Sequence, residues 1–323
     1  MNHAIRLIVA GIMLMAALPE GLAQENYPTR LIRIIVPTAP GGPPEVGARL
    51  IAQELSKRWG QPAVVETRPG AGTVIGSEIV ARARADGYTL LMSPGTLATN
   101  PASYKKLPYD ALRDFAPITQ THFVPNVFVI HPSLPARSVK EFVALAKARP
   151  GDILYASAGY GSNPHLTIEL FASMAKVKLT HVPYKGGLPG VTDLLGGRVV
   201  MMISSALGLI VPHVRSGKLR ALGVTSTTRS KVLPDVPSMS EAVPGFEAVQ
   251  WAAVMAPAGT PPEIISRLNK EIVSILHTPE IRDRLAADGT EVVGSTPGEL
   301  AALLRAETAK WAKAAKLAGI EPQ

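Results

Sequence analysis

The sequence predicts an α/β protein of two domains, each a doubly wound parallel sheet, joined by a hinge of two crossings. Three observations carry that expectation. Short β-branched or aliphatic runs alternate with amphipathic stretches along most of the chain. The alternation falls into two series, separated by an extended segment from Phe115 to Pro125. The 323 residues also suit about two domains of ordinary size.

The first series opens on the near-continuous apolar run Leu31–Pro37, the pattern of a buried parallel strand. A helix follows from Pro43-Pro44 to Trp59, with Val46, Leu50, Ile51 and Leu55 at helical spacing; proline is tolerated in a first turn whose amides lack intrahelical partners. Strand Ala63–Thr67, helix Val74–Arg84 and strand Tyr88–Met92 complete a βαβαβ unit, which implies a parallel sheet. The second series runs through strands Asn126–His131, Ile153–Ser157, Leu179–Pro183, Val199–Ile203 and Leu219–Thr225. Helices Ser138–Ala148, Pro164–Ala175, Val191–Leu195 and Leu209–Ser216 lie between them. The polar, proline-rich stretch Ser226–Gly245 reads as a return linker. Strand Glu247–Ala256 and helices Pro262–His277, Glu280–Asp288 and Pro297–Ala318 then rejoin the first domain. The expected division is therefore 24–125 with 246–323, against 126–245. Two α/β domains joined by two crossings form a hinge, and a hinge suggests a binding cleft.

Residues 1–23 read as a signal peptide: Arg6 precedes the apolar run Leu7–Leu18, and Gly21-Leu22-Ala23 offers small residues for cleavage after Ala23. That run is shorter than the roughly 20 residues a membrane span needs. The expected product is an exported periplasmic protein; the rival reading is an uncleaved anchor. Cysteine is absent, which excludes disulfides, a lipidated cysteine and thiol chemistry. The net charge of +8 is spread along the chain without basic runs or interleaved aromatics, so no nucleic-acid partner is expected. A mild positive field still favours anionic solutes.

Candidate binding residues lie in loops at the carboxyl ends of strands, where open α/β sheets place ligands. The first loop contains Thr38, Ala39, Gly41, Gly42 and, just inside the helix, Glu45. Main-chain amides and a helix N-terminus there favour an anion; a tight turn with nothing bound is the alternative. Ser93, Gly95 and Thr96 follow the third strand. In the second domain the equivalents are Ser157, Gly161, Ser162 and Asn163, with Ser162 or Asn163 placed to cap the next helix. Tyr184 and Lys185 sit in a further loop, where Lys185 can counter a carboxylate or simply face solvent. His165 is the one histidine near these loops and can orient a ligand.

Enzyme signatures fail on inspection. Gly70, Gly72 and Gly76 follow G-x-G-x-x-x-G rather than the dinucleotide spacing, so close turn packing explains them better. Gly161-Ser162-Asn163 lacks the nucleophile-elbow pattern. The histidines show no metal-type pairing. No enzyme activity, cofactor or metal is expected.

Read in order, several segments resemble one family: Val36-Pro-Thr-Ala-Pro-Gly-Gly42, Arg68-Pro-Gly-Ala-Gly72, Asp86-Gly-Tyr-Thr-Leu90, His181-Val-Pro-Tyr-Lys-Gly186, Leu233-Pro-Asp-Val-Pro237 and Ala256-Pro-Ala-Gly-Thr-Pro261. Across Tyr27–Ile320 the chain resembles the Bug-type periplasmic receptors of tripartite tricarboxylate transport systems. The resemblance implies a Venus-flytrap of the type II periplasmic-binding-protein kind, a monomer that holds a small carboxylate and delivers it to a membrane permease. A membrane sensor is the alternative partner. By the same resemblance, Thr38–Gly42 and Ser93–Thr96 contact the ligand from one domain. Ser157–Asn163, Tyr184–Gly186, Ser204 and Ser205 contact it from the other. Three departures stand out. Thr38 replaces a usual Phe, Pro43-Pro44-Glu45 replaces Ser-Thr-Asp, and no acidic residue lies near Ser204. The last makes an amino-acid ligand less fitting, because a buried ammonium wants an anionic partner. Glu45 leaves that point open.

Overall fold

The computed structural model describes residues 27–321 apart from 161, 288 and 318, so the leader expectation for 1–23 and the role of Gly161 lie outside the described residues. Strands β1 (Ile32–Val36), β2 (Ala63–Thr67) and β3 (Thr89–Pro94) are joined by helices α1 (Pro43–Trp59) and α2 (Val74–Ala81). A helix α3 (Thr96–Ser103) follows, then β4 (Phe115–Pro125) leads out of the first sheet. The second lobe contains β5 (Val127–Ile130), α4 (Val139–Ala148), β6 (Leu154–Ser157), α5 (Asn163–Ala175), β7 (Thr180–Pro183), α6 (Gly187–Leu195), β8 (Met201–Ser204), α7 (Leu207–Arg215) and β9 (Arg220–Val224). The chain returns through β10 (Val249–Pro257) and ends with α8 (Pro262–Leu276), α9 (Pro279–Ala286), β11 (Glu291–Val292) and α10 (Pro297–Leu317).

The sheets have the orders β11-β4-β10-β3-β1-β2 and β7-β6-β8-β5-β9. Within each βαβ series the strands are parallel, as expected: β2, β1 and β3 in one sheet and β7, β6 and β8 in the other. Each sheet as a whole is mixed. β10 is antiparallel to β3 and β4, and β5 is antiparallel to β8 and β9. β5 and β10 are each the first strand that the chain forms on arriving from the other lobe, and the short β11, antiparallel to β4, runs with β10. A strand entering at the cleft end of a sheet, where the others finish, must run against them. Two domains of alternating strands and helices are thus present, with one expectation refined.

The crossings are tied to each other. Between β4 and β5, the Asn126 N–H donates to Thr225 Oγ1 at 2.9 Å and its side-chain amide to the Ala248 carbonyl at 2.6 Å. Thr225 Oγ1 also donates to the Ala248 carbonyl, at 2.5 Å. Outward segment, last strand of the second lobe and return segment therefore share one buried hydrogen-bonded node. Beside it, Glu307 of α10 accepts the indole N–H of Trp311 at 2.8 Å and of Trp251 at 3.3 Å, and pairs with Lys310. One apolar cluster runs from Ile35 and Leu91 through Trp251, Leu304 and Trp311 to Phe128 and Phe171. The lobes are joined by packed side chains as well as by backbone.

Candidate functional site

The site begins where β1 ends. Gly41 has φ 90°, a left-handed conformation that residues with a Cβ rarely adopt. Gly42 caps α1 in extended conformation, and Pro43 and Pro44 open the helix. The prolines suit a first turn, but they remove two N–H groups from a helix end that would otherwise meet an anion. The next two amides, of Glu45 and Val46, both donate to the Gly42 carbonyl.

Glu45 is buried, and its carboxylate accepts the Gly41 N–H at 2.6 Å and the Arg49 Nε–H at 2.7 Å. The Gly41 amide first, and Arg49 after it, hold this carboxyl below its usual range. The anion at the start of α1 is therefore the chain's own. The Thr38 hydroxyl is buried without a partner, and the Thr38, Ala39 and Gly42 amides bond no protein group among the described residues.

Two chambers open between the lobes. The first, about 530 Å³, faces Gly41, Pro43, Pro44, Val46 and strands β4 and β10 on one side and Ser205–Leu209 on the other. The second, about 500 Å³, sets Gly72, Thr96 and Asn100 against Tyr160, Ser162 and Asn163. The predicted loops thus meet across the cleft, but not in one compartment: Gly41 and Ser205 share the first chamber, and Thr96, Ser162 and Asn163 share the second.

Most of the other predicted side chains, and the Ser162 hydroxyl with them, bond groups of the protein itself. Ser93 is buried and donates to the Pro94 carbonyl at 3.0 Å; the Gly95 amide is spent on the Trp251 carbonyl at 2.9 Å. Ser157 Oγ lies 2.6 Å from His181 Nε2 and bonds the Gly159 main chain, which fixes its own loop. Ser162 occupies the N-cap of α5, yet its hydroxyl donates back to the Gly159 carbonyl at 2.6 Å instead of capping. Ser204 Oγ accepts the Ala206 N–H at 3.2 Å. Tyr184 donates to Asp193 at 2.8 Å, while Lys185 and Ala39 are exposed. His165 is buried, its ring 3.9 Å from that of His181 in a stack flanked by Tyr155 and Tyr160. It packs the floor of the loop and lines neither chamber.

Sequence reading missed His122, Trp251 and Arg284, which line the first chamber. His122 and Trp251 belong to β4 and β10, the strands beside the crossings, where polar and apolar positions give no periodic signal. His122 is 1% exposed, and its Nε2 has no partner. Its ring lies against the helix at Gly47, where an added Cβ would come within 2.8 Å of Cε1. Burial pushes its pKa down to about 4, so the ring is neutral at pH 7. Thr121 Oγ1 donates to the Ala252 carbonyl at 3.1 Å and lies 3.0 Å from His122 Nδ1. That network assigns the ring proton to Nδ1 and leaves Nε2 as an acceptor.

Two lobes of mixed α/β sheet, tied at two crossings and separated by a cleft with polar loops on both walls, define a hinged solute-binding protein. The family model described as "Tripartite tricarboxylate transporter family receptor" matches residues 47–320. The chain belongs to that family. Among its relatives, protein BugT of Bordetella pertussis is 40% identical over 316 residues, 97% of each chain. Among solved structures it is similar to Rpa4515 of R. palustris with adipate, at a TM-score of 0.74 and 36% identity, covering 92% of this chain and 100% of that one. It is also similar to MatC of Rhodopseudomonas palustris with bound malate, at a TM-score of 0.70 and 33% identity, covering 89% and 99%.

Proposed function

We propose that the protein is exported to the periplasm, residues 1–23 serving as its signal peptide, and there captures a small carboxylate lacking an amine. The lobes 24–125 with 246–323 and 126–245 close on it, and the closed form is read by the membrane permease of a tripartite transporter. The cycle has no chemical step. Hydrogen bonds from the protein and bridging waters replace the hydration of the carboxylate. Closure follows because only the closed form touches the ligand from both lobes.

The observation that carries this reading is the state of Glu45. It is the acidic side chain nearest the first loop, and it is already engaged by Gly41 and Arg49. An ammonium entering the first chamber would meet no acidic side chain, because none is among the residues that line it and Glu45 is paired with Arg49. Relatives of similar length whose structures hold adipate or malate, neither of which carries an amine, support the same class.

A thermal-shift screen of the mature protein against adipate, malate, aspartate and glutamate tests it. A ligand at about 100 times its Kd adds about 2.7 kcal/mol, which raises the melting temperature of a chain this size by roughly 5 °C. The expected result is a shift of that order with an amine-free acid and none with the amino acids. A shift with the amino acids alone overturns the proposal.

A further inference from the structure

The lobes touch beside the first chamber, at a residue without a side chain. Gly289 follows α9 in the first lobe with φ 75°; its N–H donates to the Ala286 carbonyl at 3.0 Å, and the Thr290 N–H to that of Leu285 at 3.3 Å. A left-handed residue closes many helices, and asparagine also serves there. Capping therefore explains the backbone of Gly289 but not its missing side chain. A Cβ added to it would lie 2.7 Å from Leu207 Cδ1 and 3.2 Å from Val232 Cγ2. Leu207 opens α7 of the second lobe, and Val232 lies in the segment that leads back from β9. Leu207 is buried, so its side chain has little free space to move into.

The strand that follows Gly289 is drawn into the same seam. Glu291 Oε1 is buried without a partner among the described residues. Burial pushes the pKa of this carboxyl up, and Lys231, the neighbour of Val232, pulls it the other way. The position of the seam decides what it does. Leu207 and Thr290 both line the first chamber, so the contact lies on the cleft side of the crossings. β11 pairs with β4 at Phe123 and His122, just before β4 ends at Pro125 and the chain crosses over. Packed groups on the cleft side of a hinge stop its closure, because close-packed side chains yield little to compression.

We infer that Gly289 is a specificity-determining residue: by leaving room for Leu207 and Val232, it sets how closely the walls of the first chamber approach and so the length of acid that both walls hold. This rests on the receptor reading above and narrows it to ligand size. A side chain at position 289 wedges the lobes apart. A short acid then loses one wall, while a longer one still spans the gap.

Calorimetric titration of the mature protein with succinate, adipate and suberate tests the inference, in the wild type and in three variants. Gly289→Asn keeps a left-handed cap and puts a side chain into the seam. Val232→Phe wedges the same seam from the other lobe, and either variant suffices where the other is unstable. Gly60→Asn is the control, since Gly60 caps α1 with φ 67° and an added Cβ there would meet nothing within 4 Å. The seam variants are expected to shift the succinate-to-suberate affinity ratio about tenfold towards suberate, the lower end of what one methylene is worth in a fitted site. Gly60→Asn should leave that ratio within about twofold of the wild type. A ratio that neither seam variant moves, or that Gly60→Asn moves equally, overturns the inference and leaves the receptor reading intact. Failure of all three acids to bind the wild type overturns both.

Discussion

Gly42→Pro is expected to weaken carboxylate binding by roughly 10- to 100-fold, the range for losing one hydrogen bond to a charged group. Gly42→Ala should stay within a few-fold of the wild type. The pair isolates the amide. Gly42 has φ −83°, within reach of proline, and an added Cβ would meet only Pro44 Cδ at 3.7 Å, an ordinary contact. Neither substitution is therefore expected to unfold the loop, which a melting curve checks. Of the amides nearby, Gly41 is spent on Glu45, and Glu45 and Val46 on the Gly42 carbonyl, which leaves Gly42 with Thr38 and Ala39. Equal affinity in the two variants would remove this loop from the binding site.

Acid is expected to destabilise the fold through His122. Its pKa is depressed to about 4 from the ordinary 6.5, so between those values the unfolded chain binds a proton that the folded chain refuses. Stability from this group is complete above pH 6.5 and falls as the pH drops towards 4. Between pH 7 and pH 5 the loss is about 2 kcal/mol. The signature is the difference in urea-unfolding free energy between the two pH values, measured in the wild type and in His122→Gln. The variant should lack that part of the slope whatever its own stability at pH 7. His165, also depressed to about 4 by burial and by its neighbour His181, contributes in the same direction and remains in the variant. An unchanged slope in His122→Gln would contradict the buried, neutral assignment.

Much of the fold was legible because its signals are local. The apolar run Ile32–Val36, the prolines at the start of α1 and the helical spacing to Leu55 each specify an element without reference to the rest of the chain. The close packing expected at Gly70, Gly72 and Gly76 is found at Gly76, while Gly72 lines the second chamber. An added Cβ at Gly76 would lie 2.7 Å from Pro37 Cβ and 2.8 Å from the Arg68 carbonyl oxygen, so α2 approaches β1 more closely than any other residue permits.

Non-local features were not legible. Whether β10 runs with or against β3 depends on where the chain re-enters the sheet, and nothing within Val249–Pro257 encodes that. Helix α3 was hidden by Pro101 in its interior, and β11 spans just two residues. At the site, residue type and position marked Gly41, Thr96, Ser162, Asn163 and Ser205, which do line the cleft. The same signal also marked Ser93, Ser157 and Ser204, whose hydroxyls serve their own loops. A short polar side chain after a strand looks alike in both roles, because both need a donor near free main chain. The engagement of Glu45 by Gly41 and the place of His122 beside the first chamber depend on three-dimensional proximity alone.

Capture requires that one ligand be held from both walls, and amide hydrogen exchange with and without saturating adipate or malate measures that directly. The expected outcome is slowed exchange in residues 38–46 or 93–96 of one lobe together with residues 157–163 or 204–209 of the other. Protection confined to a single lobe would contradict the account.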